Sequence, residues 1–230
     1  MKTIYTGVAG KRHKSQGLES QDFIANIETY SFSVTVLCDG AGSKEFGMQS
    51  ARITANVTAK ILEEDFYDFD LEKFIEKVNF ALESEGYTEQ NSGTTLLFVA
   101  TDNEKYIIGH LGDGVILQEI NNEFKVISKP ENKEYVNTTF LLPSSDPISH
   151  LRIKTGSLNH PTAFILSTDG AAYFLYDPKT QTGYKVCKIF TEWARTKPDF
   201  ECEDYIKYNL QEEFSKYNSD DMSIAVMVSK

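Results

Sequence analysis

The stretch "VTVLCDGAGSKEFG" (residues 34–47) is an apolar run that stops at Asp39-Gly40 and then passes into a pattern with helical spacing. A buried strand that ends on a carboxylate, with glycine rather than bulk behind it, would be unremarked if it occurred once. It recurs. "YIIGHLGDG" (106–114) places Asp113 after a second apolar run, and "AFILSTDG" (163–170) places Asp169 after a third. "NSDDMSIAVMV" (218–228) reverses the order and sets Asp220 and Asp221 at the entrance to a strand. A single Asp-Gly after a strand is ordinary turn chemistry. Strand ends that share one edge of a sheet sandwich bring their side chains together, and converging carboxylates repel unless protonated or bound to a cation. Oxygen ligands without any His/Cys spacing favour Mg²⁺ or Mn²⁺ over zinc. Gly40 suits this chemistry, because a backbone carbonyl beside a metal needs a chain that approaches closely.

Working outward, residues 3–9, 22–28 and 30–39 read as strands. From Ser43 the period becomes helical through Phe46, Ala51, Ile53, Ala55, Val57, Ile61 and Leu62, with Ser43 and Glu45 expected in the first turn. "DLEKFIEKVNFALESEG" (70–86) repeats that pattern, with Leu71, Phe74, Ile75, Val78 and Leu82 on one face. Asp70 is placed to cap this helix and Gly86 to stop it. "ILEEDFYDFD" (61–70) between the two reads as a solvated boundary. Four short runs follow, "GTTLLFVAT", "KYIIGHLGD", "GVILQEI" and "EFKVISK", whose short spacers predict antiparallel hairpins. Residues 129–162, punctuated by Pro130, Pro143, Pro147 and Pro161, are expected to be irregular. "YKVCKIFTEWART" and "CEDYIKYNLQEEFSKY" read as helices, and "MSIAVMVS" as a closing strand. The order predicts an α+β chain of sheets packed on each other or on helices, forming one domain over 1–230.

With 230 residues the chain is long enough for a sizeable core, and 40% hydrophobic with 25% charged residues is ordinary for a soluble globular protein. The net charge of −11 argues against nucleic-acid and anionic-membrane partners, which require a basic surface. No stretch approaches eighteen apolar residues, and the N-terminus lacks an apolar signal core. Cys38, Cys187 and Cys202 form no Cys-x-x-Cys unit, which predicts free thiols in a reducing, cytoplasmic setting. Cys38, inside an apolar run, reads as an inert buried thiol rather than a nucleophile. His110 reads as a core or sheet-face histidine and Trp193 as part of an apolar helix stripe. His150 and His160 have no His/Cys partner at metal spacing.

The order of these motifs resembles the metal-dependent (PPM, type 2C) serine/threonine protein phosphatases in a compact bacterial form. "GLESQDF", "VLCDGAGS", "SGTTLLFVA", "GHLGDG", "FILSTDG" and "SDDMSIAVMV" run in family order through nearly the whole chain. The resemblance implies a four-layer αββα sandwich, two antiparallel β-sheets flanked by helix pairs. It implies metal ligands at Asp22, Asp39, Asp169 and Asp220 with the Gly40 carbonyl, and a third, weaker site formed by Asp113 with Asp169. Asp221 takes a neighbouring, outer position. The implied activity is hydrolysis of phosphoserine and phosphothreonine in a protein substrate by a monomer that opposes a Ser/Thr kinase. Enzymes accelerate phosphate-monoester hydrolysis by up to ~10²¹-fold. With no Cys nucleophile motif or phosphate loop here, two ions that share a water and bring its pKa to about 7 would supply direct hydroxide attack on phosphorus.

Three departures bear on activity. Gln21-Asp22 stands where the family often has Glu-Asp. Ala41 replaces a His that is a candidate general acid in many members. Gly17 lies near the register of a phosphate-binding Arg, leaving Arg12, His13 and Lys14 as substitutes. Arg12 and Lys14 read as solvated charges. His13 is balanced between a catalytic role and a polar turn. The alternative to an active enzyme is a catalytically weak regulatory or binding module of the same fold; four retained carboxylates favour the enzyme.

Overall fold

The structure is a computed structural model describing residues 1–131, 139–144, 146–158 and 161–229. Its elements in chain order are β1 (Lys2–Val8), α1 (Lys11–Ser15), β2 (Asp22–Glu28), β3 (Ser33–Asp39), α2 (Gly47–Asp65), α3 (Leu71–Ser84), β4 (Leu96–Thr101), β5 (Lys105–Leu111), β6 (Val115–Ile120) and β7 (Glu123–Ser128). They continue with β8 (Arg152–Ser157), β9 (Ala163–Ser167), α4 (Asp169–Ala172), β10 (Tyr176–Asp177), β11 (Thr182–Gly183), α5 (Lys185–Thr196), α6 (Asp199–Tyr208) and β12 (Met222–Val228).

Two antiparallel sheets result, one ordered β1-β12-β9-β6-β7-β11-β10 and the other β2-β3-β4-β5-β8. Alternation along the strands divides the core into three layers. Leu37, Leu97, Val99 and Ile108 of the five-stranded sheet meet Ile116, Phe164, Leu166 and Met227 of the seven-stranded sheet between the sheets. The opposite face of the smaller sheet, with Val34, Val36, Phe98 and Leu111, packs on Ala51, Ala55, Leu62, Phe74 and Val78 of α2 and α3. The outer face of the larger sheet packs on Cys187, Phe190, Ala194, Cys202 and Ile206 of α5 and α6. This is the αββα sandwich expected from the sequence. Buried β3 reads as a continuous apolar run because both its faces are covered.

Helix α3 forms as its pattern predicts. The Asp70 side chain accepts from Lys73 N at 3.0 Å, Phe74, Ile75, Val78 and Leu82 are buried, and Gly86 takes φ +81° just past the end. Other expectations are corrected. Helix α2 begins at Gly47, not Ser43, because the 41–46 backbone is committed elsewhere. Ala41 N donates to Gly93 O at 2.8 Å and Phe46 N to Asn91 O at 3.0 Å, tying this segment to the loop before β4. The stretch expected to be irregular contains β8, an edge strand paired with β5 through His110↔Arg152 to Lys105↔Ser157. Its sequence RIKTGS has exposed positions on both faces and so lacks an apolar alternation to read. The helix expected over 202–217 ends at Tyr208 and continues as a π turn (Asn209–Glu213) and a 3₁₀ turn (Phe214–Lys216).

Candidate active site

Antiparallel pairing of β2 with β3 sets Asp22 directly opposite Asp39. The end of β3 is held by the Ser-Gly-Thr-Thr segment beside it. Asp39 N donates to Thr95 Oγ1 at 3.0 Å, while Asp39 O accepts from Thr95 N at 2.9 Å and Thr94 Oγ1 at 3.0 Å. Gly40 N then donates to Gln21 O at 3.1 Å, and a Cβ at residue 40 would stand 2.9 Å from that oxygen. Only glycine lets the chain pass there.

Asp169 arrives from the other sheet, at the point where β9 turns into α4, and its charge faces that of Asp39. Thr168, one residue earlier, donates from Oγ1 to Asp22 Oδ2 at 3.1 Å and accepts from Ser223 N at 3.0 Å, joining β9, β2 and β12. Asp113 follows Gly112, whose φ of +110° makes the sharp exit from β5. Asp220 is exposed at the start of β12.

The electrostatics follow from this crowding. Burial, reinforced by Asp221 and Asp169, pushes the Asp22 carboxyl up to about 7. Burial and the neighbouring Asp22 and Asp169 raise Asp39 well above the carboxylate range. Burial, with Asp113 and Asp220, pushes Asp169 up to about 7. Burial, then Asp220, raises Asp113. Asp22 Oδ1, Asp169 Oδ1 and Gln21 Oε1 are buried without a hydrogen-bond partner. Among the described residues, no group of three or more His, Cys, Asp or Glu side chains is arranged so as to hold a metal ion as it stands. The donors nonetheless fit a hard divalent cation: unpartnered carboxylate oxygens, held by backbone they do not share, are what such an ion coordinates.

A cavity of ≈ 250 Å³ opens over this edge, lined by Asp39, Gly40, Asp113, Asp220 and Asp221 together with Arg12, His13, Ala41, Ser43 and Leu141. Asp22 and Asp169 stand beside Asp39, outside the lining. His13 is in the site. Its Nδ1 lies 2.8 and 2.9 Å from the two Asp221 oxygens, which also accept from Gly10 N and Gln21 N at 2.6 Å each. With Nδ1 engaged by a carboxylate, Nε2 is the nitrogen left for a ligand. Two residues were undervalued in the sequence. Asp221 anchors His13 and two backbone amides, for which the doubled Asp in "SDDMS" was the available sign. Arg12, read as a solvated cation, is exposed but borders the cavity.

The other sequence assignments resolve simply. His110 is fully buried and shares a hydrogen bond with Ser128 Oγ at 2.8 Å. Cys38 is buried, and burial drives its thiol far above the range of a reactive thiolate. His150 stacks on Phe140 at 3.5 Å. Trp193 packs against the α5–α6 core. Tyr67 in the α2–α3 connection is exposed while Phe66 is buried. His160 lies outside the described residues.

Two stacked antiparallel sheets that gather aspartates at one edge, under a cavity lined by a histidine and an arginine, are the architecture that the order of motifs implies. The family model for protein phosphatase 2C matches residues 9–210. The chain belongs to the protein phosphatase 2C family and is a protein-serine/threonine phosphatase. Solved structures agree in fold. A bacterial serine phosphatase superposes with TM-score 0.72 at 13% identity, over 100% of this chain and 98% of the other. The serine/threonine phosphatase of S. agalactiae gives 0.64 at 16%, over 99% of each chain. Serine/threonine phosphatase Stp1 from Staphylococcus aureus gives 0.67 at 13%, over 100% and 96%. No curated protein sequence matches the chain.

Proposed function

We propose that this chain dephosphorylates phosphoserine and phosphothreonine in proteins with Mn²⁺ or Mg²⁺ as cofactor, two ions at the main site and a third more weakly held. The observation that carries the reading is the meeting of Asp22, Asp39 and Asp169 at one sheet edge, with raised pKa values and unpartnered oxygens. Asp22, Asp39, Asp169, Asp220 and the Gly40 carbonyl would hold the two ions, and Asp113 with Asp169 the third. When bound, such ions lower the pKa of water and neutralise phosphoryl charge.

The chain's own groups do the rest. Arg12 offers a guanidinium at the cavity rim where a dianionic phosphate enters. Asp221 holds the His13 ring through Nδ1, which leaves Nε2 as the candidate donor of a proton to the departing serine or threonine oxygen. This supplies the function that Ala41, which lines the cavity with a bare methyl, does not. The protein is read as a single-domain cytoplasmic monomer opposing a Ser/Thr kinase. Three free, buried cysteines and, among the described residues, no helix long and apolar enough to cross a membrane support that setting.

The test is hydrolysis of an aryl phosphate and a phosphothreonine peptide after exhaustive chelation and re-addition of metal. Activity should vanish with EDTA and return with Mn²⁺ more than with Ca²⁺, whose radius suits a compact two-ion site poorly. Chelation without effect overturns the metal reading. His13→Ala should slow the peptide about 10²-fold or more and the aryl phosphate far less, because a basic alkoxide needs the proton most. Ala41→His should then change the peptide-to-aryl ratio little. An unchanged ratio in His13→Ala removes His13 from catalysis.

A further inference from the structure

Helix α1 is a basic element on an acidic protein. Residues 11–14 read Lys-Arg-His-Lys in a chain with 34 acidic and 23 basic side chains. Every residue of α1 is solvent-accessible, and none is buried. Basic side chains recruited only to neutralise the carboxylate cluster would be paired with it. Only His13 is: among the described residues, no ion pair involves Lys11, Arg12 or Lys14. Glu19 is the single acidic residue between Lys11 and Ser20.

Its place beside the reaction centre is built in. Gly10, which precedes α1, donates to Asp221 Oδ1, and a Cβ at residue 10 would run into the Ser219–Asp220 backbone. The helix is thereby pressed against the loop that carries Asp220, with Arg12 lining the cavity and Lys11 and Lys14 exposed on the same helix, outside the lining. The uncharged residues Gly42, Ser43, Thr139 and Leu141 also line the cavity. Arg12 and His13 are the basic residues in a lining whose other charged members are Asp39, Asp113, Asp220 and Asp221, so α1 supplies the positive charge beside the site.

We infer that α1 is a docking surface for anionic side chains flanking the phosphorylated residue, so that the substrates are phosphopeptides with Asp and Glu beside the phosphoserine or phosphothreonine. This rests on the phosphatase reading for its turnover but not for its binding. A chain of net charge −11 repels acidic segments at long range, and an unpaired basic helix at the mouth is the local exception that captures them. Exposed charge pairs contribute modestly each, so several acting together give roughly a tenfold preference that weakens as salt shortens the Debye length below about 8 Å.

Two phosphothreonine peptides of equal length, one flanked by Asp and Glu and one by Lys and Arg, test this. With Mn²⁺ present, kcat/KM for each is divided by that for an aryl phosphate, and fluorescence anisotropy of the labelled acidic peptide reads binding directly. The acidic peptide should be preferred about tenfold at low salt. Lys11→Glu with Lys14→Glu should abolish or invert the preference and weaken peptide binding, while Lys11→Arg with Lys14→Arg keeps both. Both positions are exposed, so folding is not at stake. A wild-type ratio near one, or a ratio and an anisotropy curve unmoved by the charge reversal, overturns the inference. Loss of all turnover in wild type, aryl phosphate included, refutes the phosphatase reading instead, and anisotropy still decides whether α1 binds acidic peptide.

Discussion

Two regions of this molecule bury carboxylates, and they do so in opposite ways. At the far end of the seven-stranded sheet, Glu119 on β6 is 7% exposed and meets the Arg195 guanidinium from α5, which also donates to Thr162 O at 3.2 Å. At the site, Asp22, Asp39 and Asp169 face one another, and no lysine or arginine forms an ion pair with them among the described residues. Glu119 carries its counter-ion in the chain. The half-buried aspartates do not among the described residues, and this difference is what supports the proposal that their charge is balanced from outside. Asp221 is intermediate, because its oxygens are satisfied by two amides and an imidazole and so are committed to position rather than to coordination.

The largest effect that would sharpen this contrast is on turnover. Asp39→Asn and Asp169→Asn should each lower phosphatase activity about 10³-fold or more. Neither should destabilise the metal-free protein, since each removes repulsion. Mn²⁺ should raise the melting temperature of wild type, by an amount equivalent to about 2.7 kcal/mol at a hundredfold excess over Kd, and do markedly less for either variant. Equal metal-induced shifts in all three proteins would break the contrast.

Next in size is the other region. Arg195→Ala strands a buried carboxylate and should cost about 2 kcal/mol, at the low end for such pairs because the guanidinium is 27% exposed. Urea denaturation measures the loss. The Mn²⁺-induced shift should be unchanged, and replacing Glu119 with Gln in the same chain should recover part of the stability.

A smaller effect lies in pH. The Asp22 and Asp169 carboxyls stand at about 7 in the fold against an ordinary 3.8. A carboxyl whose folded value is raised holds its proton more tightly when folded, so its contribution is complete below the unfolded value and is lost as pH rises through about 7. Melting temperature of chelator-treated protein should therefore fall between about pH 6.5 and pH 8, at roughly 2–4 °C per kcal/mol lost, and Mn²⁺ should flatten the fall. The buried His110 does not confuse the measurement, because its depressed value places its own loss of stability below pH 6.5. A metal-free melt that climbs over this interval would refute the crowding of protonated carboxyls. Smallest of all, Cys38→Ala should leave turnover within about twofold, since the thiol beside Asp39 is buried and protonated.

What could be read in the sequence depended on whether a residue announces its own burial. Strands β3, β5 and β9 are covered on both faces, so their apolar runs mark them and their terminal aspartates stand out. Strand β8 and helix α1 bury nothing continuous and left no pattern. Ser43 and Glu45 looked like a helix start, but hydrogen bonds from Ala41 and Phe46 to the loop before β4 outweighed that local preference. Asp39, Asp113 and Asp169 were legible because each follows an apolar run, and Asp220 because it precedes one, whereas Asp22 opens β2 and came only with the family resemblance. The His13–Asp221 contact, between residues 208 apart, was not, because no local spacing encodes a partner supplied by the last strand.

That last strand has a consequence for the order of events during synthesis. β12 lies between β1 and β9, and Asp221 at its start fixes residues 10, 13 and 21. A ribosome must therefore synthesise β12 and release it from its exit tunnel before the larger sheet closes and Asp221 holds His13. Until then β1 has no neighbour in the sheet, and the edge aspartates of the nascent chain lack the strand that brings Asp220 to them. A product that stops short of β12 lacks Asp220, Asp221 and the partner strand of β1, and is expected to be inert toward phosphoproteins.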